Sequence, residues 1–155
     1  MRSAYLEQNS GVSDTRVKIK KVVEDITLTD ADSGSIILCN PTATTTITLP
    51  NVSLSGFYCK VVCTEDAAAT DGSMNQIVNV DMGSGSNLSN IGQIHEVDGA
   101  AGDFLVSGDD FVVFTAAASP DDMCDFVSDG ARWMVWGFVK DLSDSSCSAN
   151  SDTIA

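Results

Sequence analysis

No stretch of eleven or more residues in this chain repeats its apolar positions at helical spacing, and that constrains the fold more than any single motif. What repeats instead is a beat of two. ATTTITLP, residues 43–50, sets Thr44, Thr46 and Thr48 against Thr45, Ile47 and Leu49 until Pro50 ends the run. FYCKVVC, residues 57–63, puts Phe57, Cys59, Val61 and Cys63 on one face and turns Lys60 to the other. β-Branched residues are stiff at χ1 and suit a pleated surface, so both runs read as strands. SIILC reads as a strand that pairs with ATTTITLP in one sheet across the turn at Asn40–Thr42. RVKIKKVVED, ITLT, QIVNV, GQIHEV, FLVSGDD, DFVVFTAA, MCDFVSDG and RWMVWGFV supply further runs, separated by Gly, Ser, Asn and Asp. Asp129-Gly130 between the last two reads as a tight hairpin. About eight to ten short strands with turns roughly every 8–12 residues predict an all-β fold: an antiparallel β-sandwich, jelly roll or barrel.

At 155 residues and 16.3 kDa the chain suits one domain with a sizeable core. Three segments are expected: a polar, flexible N-terminal arm over 1–15, a β-domain over 16–141, and a polar, flexible tail over 142–155. The net charge is −14 and unevenly placed. Arg2, Arg16, Lys18, Lys20 and Lys21 precede residue 22, and only Lys60, Arg132 and Lys140 follow, against every acidic residue but Glu7 and Asp14. An acidic body repels phosphate backbones, so no nucleic-acid partner is expected. The first 21 residues lack the apolar stretch of a secretory signal, and no apolar run is long enough to span a bilayer as a helix, so no membrane partner is expected either. From Ser33 to Cys59 the chain carries no charge at all, which suits strands that serve as walls of a core.

Catalytic groupings are sparse. His95 is the only histidine, and a lone histidine in a strand reads as a surface or satisfied core residue. Carboxylate pairs such as Asp30 with Asp32, Asp109 with Asp110 and Asp121 with Asp122 read as turn residues, because adjacency in sequence does not hold two carboxyls across a cleft. Asp30 to Gly34 departs from an EF-hand loop: its glycine comes a position early and Pro41 stands where the bidentate glutamate belongs. The five cysteines, Cys39, Cys59, Cys63, Cys124 and Cys147, include no Cys-x-x-Cys pair. Cys59 and Cys63 lie about 13 Å apart along one strand, too far to join, and read as buried small hydrophobes. No enzymatic activity, cofactor or metal is expected. Trp133 and Trp136 fall on opposite faces of one strand by parity, so one indole is expected in the core and the other at a subunit interface; both stand as interface candidates, with a sugar-binding platform as the alternative.

Thr29 to Gly34, Thr46 to Pro50, Gly56 to Val62 and Ser128 to Trp133 together resemble a layout recurrent in small structural proteins of tailed bacteriophages, including capsid decoration (cement) proteins and fibre-associated domains. The resemblance covers roughly residues 26–139. It implies a viral structural protein made in the bacterial host cytoplasm and seated on the capsid exterior of the virion. There it would be a homotrimer that bridges subunits of the major capsid protein. Under that reading the alternating basic stretch Arg16, Lys18, Lys20 and Lys21 is the candidate capsid contact, by strand addition or by pairing with acidic groups. The alternative function is a host- or glycan-binding module of a phage fibre or head appendage.

Overall fold

The alternating runs become strands, and the way they are shared between sheets decides what the molecule can present. The computed structural model describes residues 17–64, 76–83, 90–97, 102–105, 110–116, 118–140 and 147–150. Among these are twelve strands: β1 Lys18–Val22, β2 Ile26–Thr27, β3 Ser35–Cys39, β4 Thr45–Thr48, β5 Tyr58–Cys63, β6 Val78–Asp81, β7 Ile91–Glu96, β8 Gly102–Leu105, β9 Phe111–Phe114, β10 Met123–Ser128, β11 Trp133–Val139 and β12 Cys147–Asn150. A single 3₁₀ turn at Asp30–Asp32 is the only helical element among the described residues. The fold is all-β.

One sheet has seven strands in the order β1-β3-β5-β10-β11-β7-β8, and the other has five in the order β12-β9-β6-β4-β2. Both are mixed, which corrects the antiparallel expectation. β1, β3 and β5 run parallel in the first sheet while β2, β4 and β6 run parallel in the second. Over β1–β6 the chain therefore alternates between sheets, so that each pair of parallel neighbours there is joined through a strand of the other sheet. β3 and β4, read from sequence as partners in one sheet, belong to different sheets. Antiparallel pairing takes over where β10 lies between β5 and β11, and where β9 lies between β6 and β12.

The alternation sets the core. Ile37 and Cys39 of β3, Ile47 of β4, Cys59, Val61 and Cys63 of β5, Val78 and Val80 of β6, Val112 and Phe114 of β9, and Phe126 and Val135 join one buried cluster drawn from both sheets. The quiet segment thus supplies buried residues from both sheets to one core. Four cysteines, Cys39, Cys59, Cys63 and Cys124, are buried and unbridged. Burial pushes the Cys39 and Cys59 thiols up to about 12, consistent with their reading as small hydrophobes.

The β10–β11 turn is the expected hairpin, opened by Ser128 opposite Trp133. Gly130 takes φ 94°, and the Asp129 carboxylate accepts from the Ala131 and Arg132 amides and from Arg132 Nε. At the other end of the sheet Asp122 ties three segments: its carboxylate accepts from the Ser119 and Lys140 amides, and its carbonyl accepts from the Cys63 amide. The tail expected to be unstructured from residue 142 is corrected over Cys147–Asn150, which pair with β9. Four residues of hydrogen-bonded ladder outweigh their polar composition. The arm over 1–15 lies outside the described residues.

Candidate functional site

Residues that alternate with the core face the other way, and on the seven-stranded sheet they form three rows. One row runs Lys21, Leu38, Val62, Met123, Phe138 and His95 across β1, β3, β5, β10, β11 and β7. The next runs Ile19, Ile36, Lys60, Asp125, Trp136 and Gln93. A shorter third row holds Tyr58, Val127, Met134 and Ile91. Apolar side chains dominate a surface with no second layer over it among the described residues. Trp136 is 47% exposed, Phe138 49% and Ile19 64%.

Three charged side chains stand in these rows, Lys21, Lys60 and Asp125, and the two at the centre are tied together. Lys60 Nζ lies 3.3 Å from Asp125 Oδ2, and the Tyr58 hydroxyl donates to Asp125 Oδ1 at 2.7 Å. Burial and the adjacent carboxylate raise the Tyr58 hydroxyl to about 12, so it stays a donor at any physiological pH. Both carboxylate oxygens are thereby occupied. A satisfied charged group of this kind tolerates removal of water far better than an unpaired one.

The basic stretch behaves differently from its alternation. Arg16 lies outside the described residues. Val17, at 58% exposed, and Ile19 point away from the core. Lys18 and Lys20 share parity with buried Val22, but their ammonium groups reach the 3₁₀ turn. Lys18 Nζ donates to the Ala31 carbonyl at 3.0 Å, and Lys20 Nζ pairs with Asp32 Oδ1 at 2.8 Å. Two of the proposed contact lysines are thus engaged within the chain. Lys21 alone of them stands in the outward rows, beside a groove of about 270 Å³ lined by Lys21, Val22, Val23, Leu38, Asn40 and Thr64. β1 pairs only with β3 among the described residues, leaving its other side as a sheet edge. Lysines on such a strand also discourage unwanted edge pairing, so they do not by themselves mark a binding strand.

Asp32 anchors this clasp. Burial raises its carboxyl, but hydrogen bonds from Lys20, the Thr29 amide and the Thr29 hydroxyl outweigh that and hold it below its ordinary 3.8. A lowered folded-state value contributes stability that is present above 3.8 and lost as pH falls through that lower value. Asp32→Asn is therefore expected to lower the melting temperature modestly near pH 6, as suits a partly exposed ion pair. The gap to the wild type closes as pH drops below 3.8; thermal melts across pH 3–7 check this, and a pH-independent gap contradicts it.

Trp133 and Trp136 separate as parity requires. Trp136 is in the outward rows, whereas Trp133 is fully buried, so its assignment to a subunit interface is corrected: it belongs to the core. Its amide donates to Asn90 Oδ1 and its Nε1 to the Met82 carbonyl, and its ring meets Phe57 edge-on at 5.8 Å. His95 is exposed and lies over Phe138, ring centroids 6.1 Å apart and 25° from parallel. No group of three metal-ligating side chains occurs among the described residues, and no helix there is long and apolar enough to cross a membrane.

The outward face was missed from sequence, although a signal existed. SIILC, KVVC and WMVWGFV are apolar at both parities, a pattern of strands covered on both faces. No protein-family model matches the chain, and no curated protein matches it in sequence.

Proposed function

We propose that this chain is a non-enzymatic structural protein of a tailed bacteriophage, a decoration protein that sits on the outside of the capsid as a homotrimer and bridges capsid subunits. On this reading its two sheets form a β-sandwich whose inner faces make the core and whose larger sheet turns an apolar face outward. The observation that carries the proposal is that outward face, bordered by the β1 edge with Ile19 and Lys21 exposed, on a chain of net charge −14. The apolar face is left to contact between copies, and the lysine-bearing edge meets the major capsid protein, by strand addition or through an acidic patch on it. Three linked copies need only a modest contact each, because the second and third bind at high effective concentration, with a gain of about 10² or more. The acidic remainder keeps decorated particles apart.

Co-sedimentation with shells of the virus that encodes the chain tests the proposal. Binding that saturates at a fixed ratio to capsid subunits supports it, and absence from the pellet at tens of micromolar chain, on the order of the affinity of the weakest specific contacts, sinks it.

A second reading has its own observation. Trp136, Phe138 and His95 gather three rings on one exposed surface, which suits a sugar face in a host- or glycan-binding module. Retention on a glycan array that Trp136→Ala abolishes, without loss of the fold, would favour it over decoration.

A further inference from the structure

We propose that the outward face of the seven-stranded sheet is where copies of this chain pack against one another, with Trp136 and Phe138 on its β11 side as the aromatic anchors. The proposal deepens the homotrimer in the decoration reading by assigning its interface, but it rests on the face itself and stands whether or not a shell is bound.

Size is the first argument. Six strands at about 4.8 Å spacing span ~24 Å, and three rows two residues apart span ~13 Å, so with side-chain margins the face covers on the order of 500 Å². Apolar patches of that size on soluble proteins are commonly functional. Covering it on two copies removes ~1,000 Å² from water, the lower bound for a specific interface.

Charge is the second. Carboxylates populate most of this chain's surface, and two copies repel each other wherever those surfaces meet. The outward rows hold one carboxylate, Asp125, with both oxygens engaged by Lys60 and Tyr58, and add Lys21 at one end. On this face a second copy meets mostly apolar side chains around a neutralised ion pair, without net negative charge.

The chain's own N-terminal segment is a poor alternative cover. Residues 1–16 offer only Met1, Ala4, Tyr5, Leu6 and Val12 as apolar side chains, few against the rows they would have to bury. A strongly charged partner is no better matched, because the face carries no charge of one sign to select it.

Light scattering on the full chain, wild type and Trp136→Glu/Phe138→Glu, tests the assignment, with far-UV circular dichroism to confirm the fold. The wild type is expected at about three times the 16.3 kDa chain mass at ~100 µM, well above the dissociation constant of a specific interface. The variant is expected as a folded monomer. Should it fail to fold, Ile19→Glu/Ile36→Glu at the other end of the same face gives the same reading. A wild type that stays monomeric overturns the proposal, as does a folded variant that keeps the wild-type mass. Shell binding by a monomeric wild type would leave decoration standing and remove only this interface, so the two failures can be told apart.

Discussion

Trp133→Ala lowers the stability of the domain by about 3–5 kcal/mol, the range for removing a large aromatic side chain from a packed interior. The residue is fully buried and its environment is built from both sheets. Its ring stands perpendicular to Phe57 with centroids 5.8 Å apart, and its Nε1 donates at 3.0 Å to the carbonyl of Met82, which directly follows β6 of the smaller sheet. The indole thus joins the sheets by a hydrogen bond as well as by contact. Trp133→Phe separates the two effects. It keeps most of the volume but leaves the Met82 carbonyl without its donor, at a cost of about 1–3 kcal/mol. Urea midpoints for the two variants should fall in that order, and an unchanged midpoint for Trp133→Ala would mean that the indole is not the link between sheets. Because domains of this size retain only about 5–15 kcal/mol, the alanine variant is also expected to lose much of its soluble yield.

Gly92→Ala carries the second large effect. Gly92 lies on β7 opposite Val135 of β11 in parallel register, and a Cβ built there would collide with the Val135 carbonyl oxygen. That obstacle is backbone, so it cannot be relieved by a rotamer change, and β7 must shift away from β11. Overpacking of this kind costs about 1–3 kcal/mol, and the upper end is expected here because the obstacle is rigid. The loss should be local in origin: amide hydrogen exchange should accelerate first at Ile94 and His95, then along β8, which among the described residues is paired into the sheet only through β7. Gly34→Ala is the control. Gly34 has φ +81° but open space around its missing Cβ, so its substitution meets conformational strain of about 1–2 kcal/mol and no collision. Equal effects from the two variants would remove the steric argument.

The sequence carried the strands and their faces more legibly than their partners. Alternation at Thr45, Ile47 and Leu49, and at Cys59, Val61 and Cys63, correctly named the buried sides, because burial parity is a property of a few consecutive residues. Sheet membership is not local. Lys18 stands beside Ser35, and Ser35 beside Cys59, so successive steps between parallel neighbours differ in length and leave no fixed period to detect. Strand, turn, strand with a short connection reads by default as an antiparallel hairpin, whereas here the connection leads into the other sheet. The site was legible in part for the same reason. Parity separated Trp133 from Trp136 without saying which faced outward, and Lys18 and Lys20 looked free because their acceptors belong to a turn that sequence alone does not fold back onto β1. Alternation in β1 does not say which face is buried, and the exposure of Ile19 became visible only once β1 was set in register against β3.

The central claim is that the chain holds a capsid together from outside, and the temperature at which virions release their DNA tests it most directly. Virions stripped of the protein and then supplied with it should release DNA at a measurably higher temperature than stripped virions left bare, and the Trp136→Glu/Phe138→Glu variant should restore less. Release at the same temperature with and without saturating protein would contradict the account.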